Sequence, residues 1–471
     1  MNKEKKLLKN TAIYLAGNIT SKILGFLMLP IYTHYLSQSE LGSFDIIFST
    51  ASIFIPIITI CTINSIFRFL LGVNDEKEVN TILTNGITII ILGILFSFIP
   101  FLIYINIFNS KNALLILFFI IATILNNTWQ QIARALNYNI TYAVSGVLFS
   151  IILMVSSVLL ILFFHMGIEA LLISYSVSPL IAFIYIECKV NTFKRIKYFY
   201  IDINVIRKML KYSLPLLPTD INWWVMSTVN KYIILFFLGV DSNGILTVAS
   251  KFPSLMSMLN NLFNTAWTES AIIEYESIDK DKFYTNIFNK YLRIQFTILL
   301  LLLPVIKYIM LFIVDSSFYS AWIYVPYLLL GTVFASFANF YGTGYLSSKD
   351  TKGTFSTTII ATVVNIFLNL VLIKVLGLLS ATIANCVSYF ILWIIRIYHL
   401  RKYFKIHLEK KIVLICFFLT IVFIIGYYQN ILWIDITSII IASLFGYFIN
   451  KELISKGIYE FKNHFKRFRK K

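Results

Sequence analysis

The stretch LSQSELGSF (residues 36–44) has a counterpart 202 positions later, LGVDSNGIL (residues 238–246). Each copy contains a leucine, a short polar segment with one acidic residue, and a glycine six positions after the leucine. Each copy also lies between two long apolar stretches. A short connecting segment that occurs twice in the same setting predicts a chain built from two equivalent halves.

The composition is typical of a membrane protein. Hydrophobic residues make up 58% of the 471 residues and charged residues only 13%, whereas a soluble domain contains about 25% charged residues. The mean hydropathy is +0.80. Because a chain this apolar cannot cover a globule of its size with polar surface, we predict an all-α polytopic membrane protein.

The formal net charge of +18 does not indicate a nucleic-acid partner. Lys and Arg are concentrated in short segments between apolar stretches, such as KEKKLLK (3–9) and KNHFKRFRKK (462–471). This distribution is typical of the cytoplasmic loops of membrane proteins. We therefore predict a multi-pass protein surrounded by membrane lipids, with both termini in the cytoplasm.

About fourteen stretches reach the length of roughly 20 apolar residues that a transmembrane helix needs. They lie near residues 11–35, 43–71, 81–107, 112–137, 140–165, 168–189, 211–238, 244–273, 284–314, 321–346, 353–376, 378–400, 410–428 and 433–450.

The first six spans align in order with the next six. The alignment places Gly42 over Gly244 at an offset of 202 and Gly167 over Gly377 at an offset of 210. Because each half has an even number of helices, both halves have the same orientation, and a substrate path is expected between them. Chance similarity between apolar segments is the alternative explanation. The repeat predicts an N-terminal lobe (1–190), a cytoplasmic amphipathic linker (191–210), a C-terminal lobe (211–403), an appended helix pair (404–450) and a basic cytoplasmic tail (451–471).

Several polar and ionisable residues lie inside these spans, where a charge costs about 2.5–3.5 kcal/mol. Lys22 follows Asn18 by about one turn in the first span. Asp220, Trp224 and Lys231 fall on one face of the seventh span. Because such residues normally face a cavity or each other, we expect them to line the path between the halves. Snorkelling of Asp220 and Lys231 to opposite interfaces is the alternative.

Further charges occur in three other spans. Lys251 and Glu269 are five turns apart on one face of the eighth span, and Arg68 and Arg134 lie toward the ends of the second and fourth. For the two arginines, snorkelling and helix–helix hydrogen bonding are alternatives to lining a cavity. The deep charges are mainly basic, which suits an anionic substrate such as a pyrophosphate. The acids Asp220 and Glu269 could exchange a proton or a coupling cation, or neutralise nearby lysines.

The two halves resemble a known family. LLKNTAIYLAGNITSKILGFLMLPIYTHYLSQSELGSFDI (7–46) and MLKYSLPLLPTDINWWVMSTVNKYIILFFLGVDSNGILTVASK (209–251) are similar to Wzx-like transporters of the multidrug/oligosaccharidyl-lipid/polysaccharide exporter superfamily. The resemblance implies a two-lobed bundle in the bacterial cytoplasmic membrane. It further implies a flippase that moves undecaprenyl-pyrophosphate-linked oligosaccharide to the outer leaflet by alternating access, for O-antigen, capsule or exopolysaccharide synthesis.

In this family, basic residues of the central cavity are expected to bind the pyrophosphate. The acids Asp220 and Glu269 are the candidates for coupling or charge balance. The candidate substrate-binding residues are Lys22, Lys231, Lys251, Arg68, Arg134, Asn18 and Trp224.

The sequence carries no phosphate-binding loop, catalytic motif or metal-ligand spacing, so we predict a transporter that is not an enzyme and needs no cofactor or metal. A proton gradient, a sodium gradient or the membrane potential could drive it. Glycan polymerases and other polysaccharide-assembly proteins are the expected protein partners. A lipid II flippase and a multidrug exporter are alternatives within the superfamily. A membrane glycan polymerase or ligase is another, although every predicted outer loop is short.

Overall fold

A computed structural model describes residues 24–108, 112–348, 350–452 and 455. Over these ranges the chain forms α-helices and short 3₁₀ segments, and no strand occurs within them. The all-α prediction is therefore confirmed. The predicted first span (11–35) and basic tail (451–471) lie mostly outside the described residues.

Eleven of the described helices are long and apolar enough to cross a membrane. Many large apolar side chains are exposed, among them Phe96, Phe236 and Phe312. Such exposure is expected where a protein surface faces lipid. The predicted seventh and eighth spans also form helices, Leu217–Leu238 and Val240–Glu274, but they are not among the eleven. Both carry charged residues within their length. The chain is thus a multi-pass membrane protein with two unusually polar helices.

The chain divides into two compact units, Met1–Val248 and Ala249–Lys471. The helix Val240–Glu274, called α11 below, begins in the first unit and continues into the second. The preceding helices are α1 (Leu29–Tyr35), α2 (Gln38–Thr59), α3 (Thr62–Leu70), α4 (Glu76–Phe108), α5 (Ala113–Ala135), α6 (Asn139–Leu162), α7 (Ile168–Val190), α8 (Thr192–Arg195), α9 (Ile203–Ser213) and α10 (Leu217–Leu238). The following helices are α12 (Lys280–Ile313), α13 (Val325–Ser347), α14 (Thr351–Leu376), α15 (Leu379–Leu400), α16 (Lys410–Gln429) and α17 (Leu432–Ile449).

The predicted second span (43–71) is two helices rather than one. Helix α2 begins with a capping box, in which the Ser37 hydroxyl accepts from the Glu40 amide and the Glu40 carboxylate accepts from the Ser37 amide. It ends where Ile60 and Cys61 adopt left-handed conformations with φ of 47° and 52°. Such φ values interrupt a right-handed helix. A second helix, α3, then begins at Thr62, so Cys61 lies at the break between the two helices.

The predicted amphipathic linker contains α8, a 3₁₀ turn and most of α9. The fully buried Asn85 of α4 fixes it: the Asn85 amide donates to the Tyr200 carbonyl and accepts from the Asp202 amide, both at 2.9 Å. Tyr198 and Phe199 of the linker are exposed. One buried amide therefore anchors a segment that presents aromatic side chains to its surroundings.

In the second unit, a buried ion pair joins α12 to α17. Lys307 Nζ lies 2.5 Å from an Asp435 carboxylate oxygen, and only 1% and 3% of the two side chains are exposed. The Tyr308 hydroxyl donates to the same carboxylate at 2.6 Å. Because an unpaired charge in this environment is costly, the pair ties the last helix of the unit to α12.

We expect Asp435→Leu and Lys307→Met each to lower the thermal denaturation midpoint of the detergent-purified protein. Either change leaves one buried charge unpaired, which costs about 3–5 kcal/mol. The double variant, in which neither charge remains, should recover most of the loss. A double variant as unstable as either single variant would contradict this role for the pair.

Candidate functional site

The two copies of the opening motif contact each other in the first unit. A Cβ atom added at Gly42 of α2 would lie 2.2 Å from the Val240 carbonyl oxygen. One added at Gly244 of α11 would lie 2.1 Å from the Gln38 carbonyl oxygen. These distances are far below van der Waals contact, so any side chain would force the backbones apart. The two repeat-related glycines therefore allow the starts of α2 and α11 to touch.

An ion pair joins α2 and α10 beyond this contact. Lys231 Nζ lies 2.7 Å from Asp45 Oδ2 and donates to Ser49 Oγ at 2.8 Å. Both charged side chains are mostly covered, with 27% and 17% exposed. Sequence reasoning selected Lys231 but missed Asp45. The available signal was that Asp45 is the single acid within the predicted span 43–71.

Two further hydrogen bonds follow the ion pair along the same helices. Trp224 Nε1 donates to the Ser49 carbonyl oxygen at 2.7 Å. The hydroxyls of Thr50 and Tyr232 are joined by a hydrogen bond of 2.6 Å. We call this set of contacts the α2–α10 seam; its members are Asp45, Ser49, Thr50, Trp224, Lys231 and Tyr232.

A cavity of about 590 Å³ opens in the first unit beside Asp220. The break between α2 and α3 forms part of its wall, and the Cys61 thiol donates to Asp220 at 3.4 Å. Its lining is rich in amides, and no Lys, Arg or His is found among the described residues that line it. The lining residues are Ile55, Pro56, Thr59, Cys61, Ile63, Asn64, Asn127, Gln130, Gln131, Asp220 and Trp223.

Two of the predicted basic residues lie one helical turn beyond the cavity. Arg68 follows Asn64 by four residues on α3, and Arg134 follows Gln130 by four residues on α5, so each shares a helix face with a lining amide. Arg68 is exposed. The Arg134 guanidinium lies over the Phe67 ring, 4.8 Å from its centroid. The amide-lined space therefore has arginines next to it on two of its helices.

The remaining predicted site residues fall elsewhere. Lys22 and Asn18 lie outside the described residues. Lys251 and Glu269 belong to the part of α11 in the second unit. Of the predicted set, the structure brings Asp220, Trp224 and Lys231 onto the α2-facing side of α10. Trp224 and Lys231 contact α2 itself, and Asp220 contacts Cys61, two residues after its end.

The arrangement offers several hydrogen-bond donors and acceptors and one carboxylate inside a bundle of apolar helices. Such a space suits a polar ligand, because amide and carboxylate groups without partners are costly in an apolar bundle. Over the described part of the chain, no three His, Cys, Asp or Glu side chains are grouped to hold a metal ion.

Comparisons with known proteins place this geometry in context. Residues 7–268, more than half of the chain, match a family model described as polysaccharide biosynthesis protein. No curated protein matches the chain by sequence.

Several solved structures share the fold. A lipid II flippase MurJ in an inward closed conformation is similar over 95% of this chain and 100% of its own, with a TM-score of 0.72 and 17% identity. An inward-facing multidrug resistance MATE family transporter is similar over 83% of this chain and 95% of its own, with a TM-score of 0.60 and 13% identity. A MOP superfamily transporter from Pyrococcus furiosus, described as having a binding pocket of reverse polarity, is similar over 83% of this chain and 96% of its own, with a TM-score of 0.57 and 13% identity. At these identities the likeness establishes the fold.

The α2–α10 seam can be tested by reversing its charges. We expect Asp45→Lys, which places two cations together, to lower the thermal denaturation midpoint of the purified protein. The swapped variant, Asp45→Lys with Lys231→Asp, should restore most of the loss, because it rebuilds the pair in the opposite sense.

A full double-mutant cycle in the free energy of unfolding should give a coupling of about 0.5–3 kcal/mol. Thr50→Val, which removes a seam hydrogen bond but no charge, serves as the comparison and should be milder. Additive effects of the two charge reversals would show that the ion pair contributes nothing.

Proposed function

Because the chain belongs to the polysaccharide biosynthesis protein family, we propose that it is a flippase for an undecaprenyl-pyrophosphate-linked oligosaccharide. The membership confirms the family resemblance found in the sequence. In the proposal, the protein moves its substrate from the inner to the outer leaflet of the bacterial cytoplasmic membrane, with both termini in the cytoplasm. The glycan would be a repeat unit of O-antigen, capsule or exopolysaccharide, and a glycan polymerase would receive it.

The observation that carries the proposal is the polar cavity in the first unit. Its volume of about 590 Å³ falls within the range of roughly 300–1,000 Å³ typical of small-molecule sites. Five uncharged polar residues and Asp220 line it, although the surrounding helices are apolar enough to cross a membrane. A membrane protein keeps such groups where a polar substrate or water contacts them.

The anionic part of the substrate would bind at the arginines next to this cavity. Arg68 and Arg134 carry fixed positive charge, and guanidinium groups match phosphate oxygens in a bidentate manner. Lys231 is less suited in this conformation because Asp45 already neutralises it. Lys22 and Lys251 remain sequence-based candidates for additional contacts to the pyrophosphate.

Alternating access requires contacts that form on one side of the path and break when that side opens. The α2–α10 seam and the Gly42–Gly244 approach suit such a role, because a small number of contacts hold α2 to α10 and to the start of α11. In the proposal, Asp220 and Glu269 provide charge balance or exchange a proton or sodium ion as the protein changes state. The energy source would be an ion gradient or the membrane potential, and the protein would be a transporter and not an enzyme.

A lipid II flippase is the second candidate. It is favoured by the similarity over the whole length of a solved lipid II flippase. Both candidates involve a lipid pyrophosphate, so they differ in the glycan.

Deletion of the gene should cause lipid-linked repeat units to accumulate on the inner leaflet and surface glycan to be lost. Arg68→Ala and Arg134→Ala should each restore surface glycan poorly, since losing one charge-assisted hydrogen bond of about 1.5–3 kcal/mol lowers affinity roughly 10- to 100-fold. Arg195→Ala in the linker is the matched control and should complement fully. The measurements are the amount of surface glycan and the leaflet distribution of the lipid-linked unit.

Two results would contradict the proposal. One is normal surface glycan in the deletion strain when no second transporter of this family is present. The other is full complementation by the Arg68→Ala, Arg134→Ala double variant, which would remove the arginines from the pyrophosphate site.

A further inference from the structure

We infer that the amide-lined cavity is a sugar subsite, which binds the pyranose ring attached directly to the pyrophosphate. The inference rests on the proposed function and assigns the cavity to the glycan, with the pyrophosphate bound outside it. The cavity is defined here by its polar lining residues and one aromatic ring: Thr59, Asn64, Asn127, Gln130, Gln131, Asp220 and Trp223.

The chemistry of the lining distinguishes sugar from phosphate. Sugar hydroxyls both donate and accept hydrogen bonds, and the Asn and Gln amides do the same. A pyrophosphate only accepts, and it would be repelled by the carboxylate of Asp220. The described lining also contains no basic residue to neutralise a phosphate. The cavity is therefore suited to the uncharged part of the substrate.

Three of the four cavity amides have hydrogen-bonding capacity to spare, and the fourth, Gln131, accepts a hydrogen bond from Arg134 at 3.4 Å. The side chains of Asn64, Asn127 and Gln130 form no hydrogen bond with another residue in the described ranges. Amides that hold the fold together behave differently. Asn85 uses both its donor and its acceptor on the linker backbone, and Asn289 bonds the backbone of His407 and of Glu409. Asn64, Asn127 and Gln130 are thus placed to bind a ligand.

The two adjacent tryptophans of α10 have different environments. The indole nitrogen of Trp224 is bonded to the Ser49 carbonyl in the α2–α10 seam. Trp223 lines the cavity instead, and 47% of it is exposed. An aromatic ring in a polar site can pack against the C–H face of a pyranose while amides bind the hydroxyls at its edge. Trp223 therefore supplies the apolar surface that a sugar site needs.

The positions of the arginines indicate which sugar of the glycan would bind, counted from the pyrophosphate. Arg68 and Arg134 follow lining amides by one helical turn, a rise of about 5.4–6 Å. That spacing is comparable to the distance between a phosphate group and the ring esterified to it. With the pyrophosphate at the arginines, the first sugar reaches the amides, and Asp220 can accept hydrogen bonds from its hydroxyl or acetamido groups.

The test compares binding of lipid probes that differ only in the sugar. The full-length protein in lipid nanodiscs is titrated with undecaprenyl pyrophosphate and with the same lipid carrying one N-acetylglucosamine or one galactose. We expect the wild type to bind at least one sugar-bearing probe about tenfold more tightly than the bare lipid, since each hydrogen bond contributes about 0.5–1.5 kcal/mol.

Substitutions should separate the sugar from the pyrophosphate. The near-isosteric variant Asn127→Leu, Gln130→Met should lose this preference, with about a tenfold loss for the sugar-bearing probe and an unchanged affinity for the bare lipid. Arg134→Ala should lower the affinity for both the bare lipid and the sugar-bearing probe. Asn74→Leu, at an exposed amide outside the cavity, is the matched control and should change neither affinity.

Each outcome has one meaning. Equal affinity of the wild type for all three probes, or an unchanged preference in the cavity variant, would overturn the sugar subsite and leave the flippase proposal in place. Failure of the wild type to bind any of the probes would count against the proposed function itself. If the Asn127→Leu, Gln130→Met variant also loses affinity for the bare lipid, Trp223→Leu is the second test. It should reduce the affinity for the sugar-bearing probe only.

Discussion

The first unit depends on neutralising Lys231, a charge that lies within a helix of a membrane bundle. An uncompensated ammonium group there is costly, and α2 supplies the compensation through Asp45 and Ser49. This pairing requires α2 and α10 to lie close together. Near this pair on α2, a second contact joins α2 to the start of α11, where Gly42 and Gly244 let the two backbones touch because any side chain at either position would force them apart. Helix α2 is thus joined to α10 by the ion pair and to the start of α11 by the close backbone approach.

The closeness of α2 and α10 also determines where polar groups can be used. The cavity with Asp220 lies where α2 ends in the left-handed pair Ile60 and Cys61. On α10, Trp224, Lys231 and Tyr232 are therefore engaged in contacts with α2, whereas Asp220 and Trp223 line the cavity. This division places the charges that hold the helices together apart from the groups that we assign to the substrate.

The all-α fold and most of the helical spans could be predicted from sequence because they depend on local hydropathy. The break within the second span could not, because neither Ile60 nor Cys61 is a residue that normally favours a left-handed conformation. The partner of Lys231 was missed because their pairing depends on the relative depth of two helices far apart in sequence. Trp224 was chosen over Trp223 because helical periodicity groups it with Asp220 and Lys231, whereas only the structure separates the tryptophan that binds α2 from the one that lines the cavity.

The central claim is that this protein carries a lipid-linked glycan across the bilayer, and the most direct test is transport by the purified protein. Vesicles containing a fluorescent undecaprenyl-pyrophosphate-linked oligosaccharide are prepared with and without the protein, and a membrane-impermeant reagent reports how much lipid is in the outer leaflet. The account predicts that the protected fraction becomes accessible only in vesicles containing the protein. An accessible fraction that is the same with and without the protein, under an imposed ion gradient or membrane potential of either sign, would contradict it.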